Sequence, residues 1–184
     1  MREIFVDKFK RNVKILGIGD FYATDKKEGI ATVVGSCITV CLYEAGGGVG
    51  GMNHFLIPGE FREEEIFLSP VARYGMYAME LLMGELIKLN VDRGKLRAKV
   101  FGGADRLGSI ASSEGIGANN VKFVKSFLQL EEIPLESINV GSNYGRKVFF
   151  FPDTGKVLMK KITTKVDKIV VMEAHYKKKL ELEI

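Results

Sequence analysis

The sequence is poor in the residues that build disulfide frameworks and metal clusters: its 184 residues include only two cysteines and two histidines. Two cysteines cannot form the framework of a small secreted domain. The charged, interrupted N-terminal stretch MREIFVDKFKRNVKIL is not typical of a signal peptide. No apolar run reaches the roughly 18 to 20 residues that a membrane-spanning helix needs. We therefore expect a cytoplasmic protein that does not insert into a membrane.

A strong excess of one charge is also lacking, since the net charge is +4 and the positive and negative residues are mostly interspersed. One basic cluster, Lys177-Lys178-Lys179, stands out. A nucleic-acid site needs clustered positive charge together with an element that reads bases. A solvated surface explains the cluster more simply, so no nucleic-acid partner is expected. With no repeat and no low-complexity linker, residues 1–184 are predicted to form a single α+β domain.

Hydrophobic periodicity predicts two helices among several short strands. Ser69 as N-cap and Pro70 at the first helical position predict a helix to about Asn90, and a second helix is predicted from about Asn119. The apolar stripe of the first helix is assigned to core packing, and its members are Met76, Met79, Leu82, Met83 and Leu86. Strands are predicted at 13–18, 30–43, 97–101, 135–141, 146–151 and 156–162, and between the glycine-rich turn and Pro58. The stretch 19–29 is predicted to be a loop.

Both cysteines and one of the two histidines lie in one glycine-rich ribbon, VVGSCITVCLYEAGGGVGGMNHFLIP. A disulfide between Cys37 and Cys41 is excluded, because four residues along a strand span about 13 Å and the Cα atoms of a disulfide lie within about 7 Å. The same distance, and the lack of a fourth ligand, argue against a metal site. No metal or other cofactor is expected. Cys41, between two apolar residues, fits a role in packing.

Cys37 differs from Cys41 because Gly35 and Ser36 precede it, so a ligand can approach the backbone closely. If 36–43 and 48–56 form an antiparallel hairpin, Cys37 lies directly opposite His54 on one face. A loop two residues longer leaves Cys37 a diagonal neighbour of His54 on that face, whereas a one-residue slip separates them. A nearby histidine favours the reactive thiolate. The pair is therefore a candidate nucleophile and base, with simple packing as the alternative.

Several segments resemble the signature of the CheD family of chemoreceptor glutamine deamidases. They are KILGIGDFYAT, GSCITVCLY, GGMNHFLIP, AKVFGGAD, IGANNV and NVGSNYGRKVFFFPDTGKVLMKKI. In the family's order they cover most of residues 13–162, which is taken as the core, and leave 163–184 as a C-terminal extension. The resemblance implies a mixed β-sandwich flanked by helices, similar to the catalytic domain of cytotoxic necrotizing factor toxins.

The same resemblance implies a cysteine hydrolase that converts selected glutamine side chains of chemotaxis receptors to glutamate. The family's nucleophile falls on Cys37 and its histidine on His54. Its third residue, an upstream threonine, matches less well, because Ala31 stands six residues before the cysteine and Thr32 is the nearest candidate. In a regular strand Thr32 points away from the face of Cys37 unless a bulge restores it. Thr39, which shares that face, is the reserve candidate.

The remaining candidate residues are backbone or surface groups. The N–H groups around Gly35 and Ser36 are the expected oxyanion donors. Asn143 and Tyr144, in a glycine-flanked segment, either line a substrate groove or simply form a β-turn. Asn53, the strand neighbour of His54, is expected to point to the opposite face and is left out of the catalytic set.

The resemblance implies two partners, the cytoplasmic helices of chemoreceptors as substrate and a CheC-type phosphatase. One alternative is therefore a regulatory binding module that docks CheC and receptors with little catalysis. Another is an acyltransferase or thioesterase that uses the same dyad. GGGVGG is not followed by a helical pattern or by Lys-Ser/Thr, so a phosphate-binding loop is not expected there.

Overall fold

The computed structural model describes residues 1–57, 59, 61–62, 64, 66–105, 115–162, 173, 175–176 and 178. Three predicted features lie wholly or mostly outside the described residues. They are the strand end at Pro58, the loop between the predicted strand 97–101 and the second helix, and the extension 163–184. Within the described ranges the chain forms two long α-helices, a short 3₁₀-helix (Arg93–Lys95) and two five-stranded sheets, and the described residues Glu173, His175, Tyr176 and Lys178 are also helical. The predicted α+β class is thus confirmed, and the likeness to the toxin domain stays a prediction.

In chain order the elements are β1 (Arg2–Val6), β2 (Arg11–Ile15), β3 (Phe21–Thr24), β4 (Gly29–Val34), β5 (Ile38–Glu44), β6 (Gly50–Asn53), α1 (Pro70–Lys88), β7 (Leu96–Gly102), α2 (Ile116–Leu130), β8 (Leu135–Val140), β9 (Gly145–Phe151) and β10 (Lys156–Ile162). The first sheet has the order β1-β2-β4-β9-β10, and the second has the order β3-β6-β5-β7-β8. Each is mixed, because β2 pairs with β4, and β7 with β8, in parallel while the other pairs are antiparallel.

Alternating side chains on β5 divide the core into two layers. Cys41 belongs to a buried cluster that also contains Ile30 and Phe150 of the first sheet, so this cluster fills the space between the sheets. Val40 and Leu42 belong to a second cluster that the buried faces of α1 and α2 complete. The order of layers is therefore sheet, sheet, helices. The candidate residues of the ribbon lie between the two sheets.

The first helix follows its predicted signals closely, and the second begins at Ile116, three residues before the predicted start at Asn119. Ser69 caps α1 by accepting a hydrogen bond from the Ala72 N–H, and Pro70 is the first helical residue. The predicted apolar stripe of α1 packs in the core, with only Met76 partly buried. Neither helix within the described ranges combines the length and apolar character needed to cross a bilayer.

Two predictions about the first third of the chain are wrong. The stretch 19–29, predicted as a loop, contains β3, whose four residues are too few for alternation to stand out. The continuous strand predicted over 30–43 is broken at Gly35–Cys37, and its halves, β4 and β5, belong to different sheets. A run of β-branched residues indicates strand but does not report where the chain changes sheets.

Candidate active site

The crossing between the two sheets, Gly35–Cys37, is held from one side through its carbonyl oxygens. The carbonyl oxygen of Gly35 accepts a hydrogen bond from the N–H of Ala104 at 2.7 Å, and that of Cys37 accepts from the N–H of Gly103 at 2.8 Å. The carbonyl oxygen of Ser36 accepts from the side-chain amide of Asn120 at 3.0 Å. Asn120 is itself fixed, because its Oδ1 accepts the N–H of Ile57 at 2.7 Å. The end of β7 and the start of α2 thus fix the orientation of three successive peptide groups.

The N–H groups of the same three residues converge on one carboxylate, that of Glu173. Its Oε1 accepts from Gly35 at 2.8 Å and from Cys37 at 3.3 Å, and its Oε2 accepts from Ser36 at 2.9 Å. The Ser36 hydroxyl donates to Oε2 as well, at 2.7 Å. Several fixed N–H groups directed at one oxygen-bearing group are the arrangement that stabilises a developing oxyanion.

Close packing behind this crossing depends on Gly102, the last residue of β7. Its φ is +122°, and a Cβ at this position would lie 2.1 Å from the carbonyl oxygen of Cys37. A side chain is therefore excluded here by both backbone conformation and space. The glycine lets β7 approach the crossing closely enough for Gly103 and Ala104 to hold it.

The register of the β5–β6 pair places His54 on the same face as Cys37. Cys41 pairs with Met52, Tyr43 with Gly50, and an isolated bridge joins Ile38 to Phe55. This register puts Thr39 opposite His54, so the primary prediction of Cys37 directly opposite His54 is wrong. The alternative with a loop two residues longer is confirmed, and it keeps Cys37 as a diagonal neighbour on one face.

The main chain of His54 is held by the turn that precedes β3. Its N–H donates to the carbonyl of Asp20 at 2.9 Å, and its carbonyl accepts the N–H of Gly19 at 2.7 Å. His54 is 3% exposed, and its ring contacts Thr32 of the opposite sheet. Backbone contacts on both sides thus restrict the position from which the imidazole can act.

The tautomer of His54 follows from its hydrogen bonds. Nδ1 lies 2.8 Å from the Thr32 hydroxyl, which also lies 2.8 Å from the carbonyl oxygen of Leu16. Because that carbonyl can only accept, Thr32 donates its proton to Leu16 and accepts from Nδ1–H. Nε2 then carries the lone pair, and it has no hydrogen-bond partner among the described residues. This is the tautomer of a general base.

The three reactive groups of the site are close together and buried. The Cys37 sulfur, a ring nitrogen of His54 and a carboxylate oxygen of Glu173 all lie within 4.8 Å of one another. Sulfur, imidazole and carboxylate are ligands that Zn²⁺ accepts. Both oxygens of Glu173 already accept hydrogen bonds from the crossing, however. The carboxylate is thus a hydrogen-bond acceptor for the backbone amides, and we assign no metal to the cluster of Cys37, His54 and Glu173.

Burial controls the protonation of the pair. It raises the pKa of Cys37 well above that of a free thiol, and the nearby Glu173 carboxylate raises it further. Burial also lowers the pKa of His54 from 6.5 to about 4, against an opposing effect of Glu173 and Asp20. At neutral pH the pair therefore consists of a thiol and a neutral imidazole. This state suits proton transfer during attack rather than a standing ion pair.

The free energy of unfolding is expected to fall as the pH drops, because His54 is buried in its neutral form. The unfolded chain binds this proton with a pKa near 6.5 and the folded protein only near 4. Between these values the unfolded state holds more protons, so the free energy of unfolding rises with pH. The His54 contribution at pH 5 should be about 2 kcal/mol smaller than at pH 7.5. Urea titrations of the native protein and of His54→Gln at both pH values measure this contribution. An equal change in the free energy of unfolding between the two pH values in both proteins would contradict its assignment to His54.

The two threonine candidates are separated clearly by the structure. Thr32 contacts the His54 ring from β4, in the opposite sheet, so the predicted orientation away from the site is wrong. That prediction assumed that Thr32 and Cys37 share one strand. The hydroxyl of Thr39 instead donates to the main-chain carbonyl of Asn53. The Asn53 side chain points to the helix side, where it donates to the carbonyl of Ala78, as predicted.

The weaker groove candidates lie in the turn between β8 and β9. The ring of Tyr144 stacks against the fully buried guanidinium of Arg146, whose carbon lies 4.5 Å from the ring centroid. The turn contacts the elements that hold the crossing, because the Asp105 N–H donates to the carbonyl of Ser142 and the Gly141 N–H donates to the carbonyl of Gly102. A groove role for Tyr144 and its neighbour Asn143 stays a prediction.

Sequence reasoning missed three contributors to the site. Asn120 and the Gly102–Ala104 stretch lie in IGANNV and AKVFGGAD, two segments that carried the family resemblance but received no role. An asparagine inside a helix and consecutive glycines after a strand were the available signals. Glu173 stands 136 residues after Cys37, in the extension, and no local pattern indicated it.

Comparison with known proteins gives a consistent result. The family model described as CheD chemotactic sensory transduction matches residues 56–161. The chain is 45% identical over 157 residues to a protein of Shewanella oneidensis named probable chemoreceptor glutamine deamidase CheD 1, covering 85% of this chain and 75% of that protein. It is 44% identical over 144 residues to a Dechloromonas aromatica protein of the same name, covering 78% of this chain and 70% of that one. The chain belongs to the CheD family.

Proposed function

We propose that this protein is a protein-glutamine deamidase that converts glutamine side chains of chemoreceptors to glutamate. The observation that carries the proposal is the placement of the Cys37 thiol and the His54 imidazole, whose Nε2 is unprotonated, beside three converging N–H groups. A nucleophile, a base and oxyanion donors are the groups that acyl transfer requires. The names of the CheD relatives support the choice of receptor glutamines as substrate.

The reaction begins when His54 takes the Cys37 proton as the sulfur attacks the side-chain carbonyl carbon of glutamine. The developing oxyanion is stabilised by the N–H groups of Gly35, Ser36 and Cys37. His54 returns the proton to the amide nitrogen, so that ammonia leaves and a thioester remains. Water then attacks the thioester with His54 again as base, which releases glutamate and restores the thiol.

Thr32 acts in this scheme as a positioning residue for His54. Its hydroxyl fixes Nδ1–H and thereby leaves Nε2 as the acceptor. Thr32→Val keeps the shape but removes the hydrogen bond, and a lost buried hydrogen bond of about 1–3 kcal/mol should lower kcat about 10- to 100-fold. Thr32→Ser should restore most of the rate. Steady-state kinetics on a receptor fragment measure both; equal losses in the two variants would contradict a role for the hydroxyl.

The proposed substrate places the protein in the cytoplasm, beside the cytoplasmic helices of chemoreceptors. Docking to a CheC-type phosphatase is a separate proposal that rests on the family resemblance alone. Binding of a partner does not require the thiol, so Cys37→Ala should still bind CheC in a pull-down or titration. A variant that loses deamidation and keeps CheC binding would separate the two roles.

The experiment that tests the proposed function is ammonia release from a purified cytoplasmic fragment of a chemoreceptor from the same organism. The native protein should release ammonia in proportion to the glutamate formed at defined receptor positions. A receptor fragment whose reactive glutamines are replaced by alanine is the matched control and should yield none. Absence of ammonia from every receptor of the organism would favour the binding-module alternative.

A further inference from the structure

The position expected for the substrate side chain is already occupied by a residue of this chain. Glu173 is 7% exposed, and its carboxylate accepts all three N–H groups of Gly35–Cys37 together with the Ser36 hydroxyl. These N–H groups are the oxyanion donors of the mechanism above. A glutamine carbonyl and the Glu173 carboxylate therefore cannot use them at the same time.

The group that occupies these N–H donors, the Glu173 carboxylate, is chemically the same as the product of the proposed reaction. Glutamate is the product that deamidation of a glutamine side chain releases, and it differs from the substrate only by an oxygen in place of the amide nitrogen. The Glu173 carboxylate lies within 4.8 Å of both the Cys37 sulfur and a ring nitrogen of His54. The side chain is thus placed as a product would be before it leaves the site.

A second contact holds the same segment against the site. Glu173 and Tyr176 are both helical residues and stand three positions apart in the sequence. Tyr176 packs against the cluster between the sheets. Its hydroxyl lies so close to Gly19 that a Cβ there would be 2.6 Å away. Gly19 is the residue whose N–H holds the His54 carbonyl, so this contact joins the segment to the support of the base.

We propose that Glu173 is an intramolecular product analogue that competes with receptor glutamines for the Gly35–Cys37 amides and thereby inhibits the enzyme. This inference rests on the proposed function. It also specifies how a substrate is presented, because Glu173 enters the site from a helical residue, as a glutamine on a receptor helix would.

Electrostatics act in the same direction as the occupied amides. The carboxylate raises the pKa of the Cys37 thiol beyond the effect of burial, so the nucleophile is held protonated while Glu173 is bound. Displacement of Glu173 by a receptor helix would free the donors and remove this opposing charge together. The enzyme is then most active when a substrate of sufficient affinity has displaced the segment.

The test measures access to Cys37 independently of deamidation. Native protein, Glu173→Ala and Glu173→Gln are treated with iodoacetamide, and alkylation of each cysteine is followed by peptide mass spectrometry. Cys41, buried between the sheets, serves as internal control, and Lys178→Ala, an exposed change in the same segment, is the matched variant. Alkylation of Cys37 should rise about tenfold or more in Glu173→Ala, while Cys41 and Lys178→Ala stay at the native level.

Glu173→Gln keeps the size of the side chain but replaces one acceptor oxygen with a donor that faces the Ser36 N–H. As long as its mass shows glutamine at position 173, this variant should also accelerate alkylation. Conversion of the introduced glutamine to glutamate by Cys37, which regenerates the native residue, would support the proposal directly. Acceleration in Glu173→Ala alone, with residue 173 of the other variant still glutamine, would indicate only an opened cavity and would overturn the proposal. Unchanged alkylation in both variants would overturn it as well.

Receptor deamidation by the same variants separates the two proposals. Glu173→Ala, and Glu173→Gln as long as residue 173 remains glutamine, should deamidate a receptor fragment faster than the native protein does. A loss of receptor deamidation together with native alkylation rates would show that Glu173 is needed for catalysis and would overturn the proposal that it inhibits the enzyme. Faster alkylation with no deamidation by any variant would retain the blocking contact and overturn the proposed function instead.

Discussion

Replacement of Cys37 by alanine is expected to abolish receptor deamidation. Without the sulfur no thioester forms, and His54 and the oxyanion donors retain no nucleophile in the correct position. Loss of a catalytic nucleophile costs on the order of 10⁶-fold in rate in a well-studied hydrolase, so activity should fall to background. The rate is measured as glutamate formation on a receptor fragment, with circular dichroism to confirm the fold.

Cys41 provides a matched control for this prediction. It is the only other cysteine, it is also fully buried, and it lies on the same face of the second sheet. Cys41→Ala removes the same atoms at a similar cost in packing, which lowers the free energy of unfolding and leaves the reacting groups in place. Its rate should therefore remain within about threefold of native. Equal losses in the two variants would show a packing effect and would contradict a catalytic Cys37.

Replacement of His54 by glutamine is expected to lower kcat by about 10²- to 10⁴-fold, the range that general acid–base catalysis contributes. Glutamine keeps a side-chain amide able to donate to the Thr32 hydroxyl, so the loss reports the missing base at Nε2. The proton from Cys37 then lacks the imidazole nitrogen that accepts it in the proposed mechanism. Kinetics across pH on the receptor fragment measure the loss.

The second histidine is the control for His54. His175 is exposed, and His175→Ala should leave the rate near the native value. A residual rate in His54→Gln that rises steeply with pH would fit hydroxide as the substitute base. A native rate in His54→Gln would contradict the assignment of His54 as the base.

The proximity of Cys37 and His54 could be predicted from the sequence because side chains in a strand alternate between its two faces. The predicted register was wrong by two residues, since Tyr43 pairs with Gly50, yet a shift of two leaves every side chain on its original face. The conclusion that the thiol and the imidazole share a face was therefore insensitive to the error in the loop.

The role of Thr32 shows where local reasoning fails. Its hydroxyl reaches His54 across the gap between two sheets, and no pattern within 30–43 reports that the chain changes sheets at Gly35. The contacts of Asn120 and Glu173 with the crossing likewise join residues far apart in sequence. Such contacts depend on how the layers stack, and periodicity describes only the face of a single element.

The measurement that tests the central claim most directly is peptide mass spectrometry of a chemoreceptor cytoplasmic fragment in water enriched in heavy oxygen. The fragment is incubated in parallel with the native protein and with Cys37→Ala. We expect specific glutamines to become glutamate with one heavy oxygen incorporated, with the native protein alone. Conversion at the same positions and rates by Cys37→Ala would contradict a thioester at Cys37 and, with it, the account of the site given above.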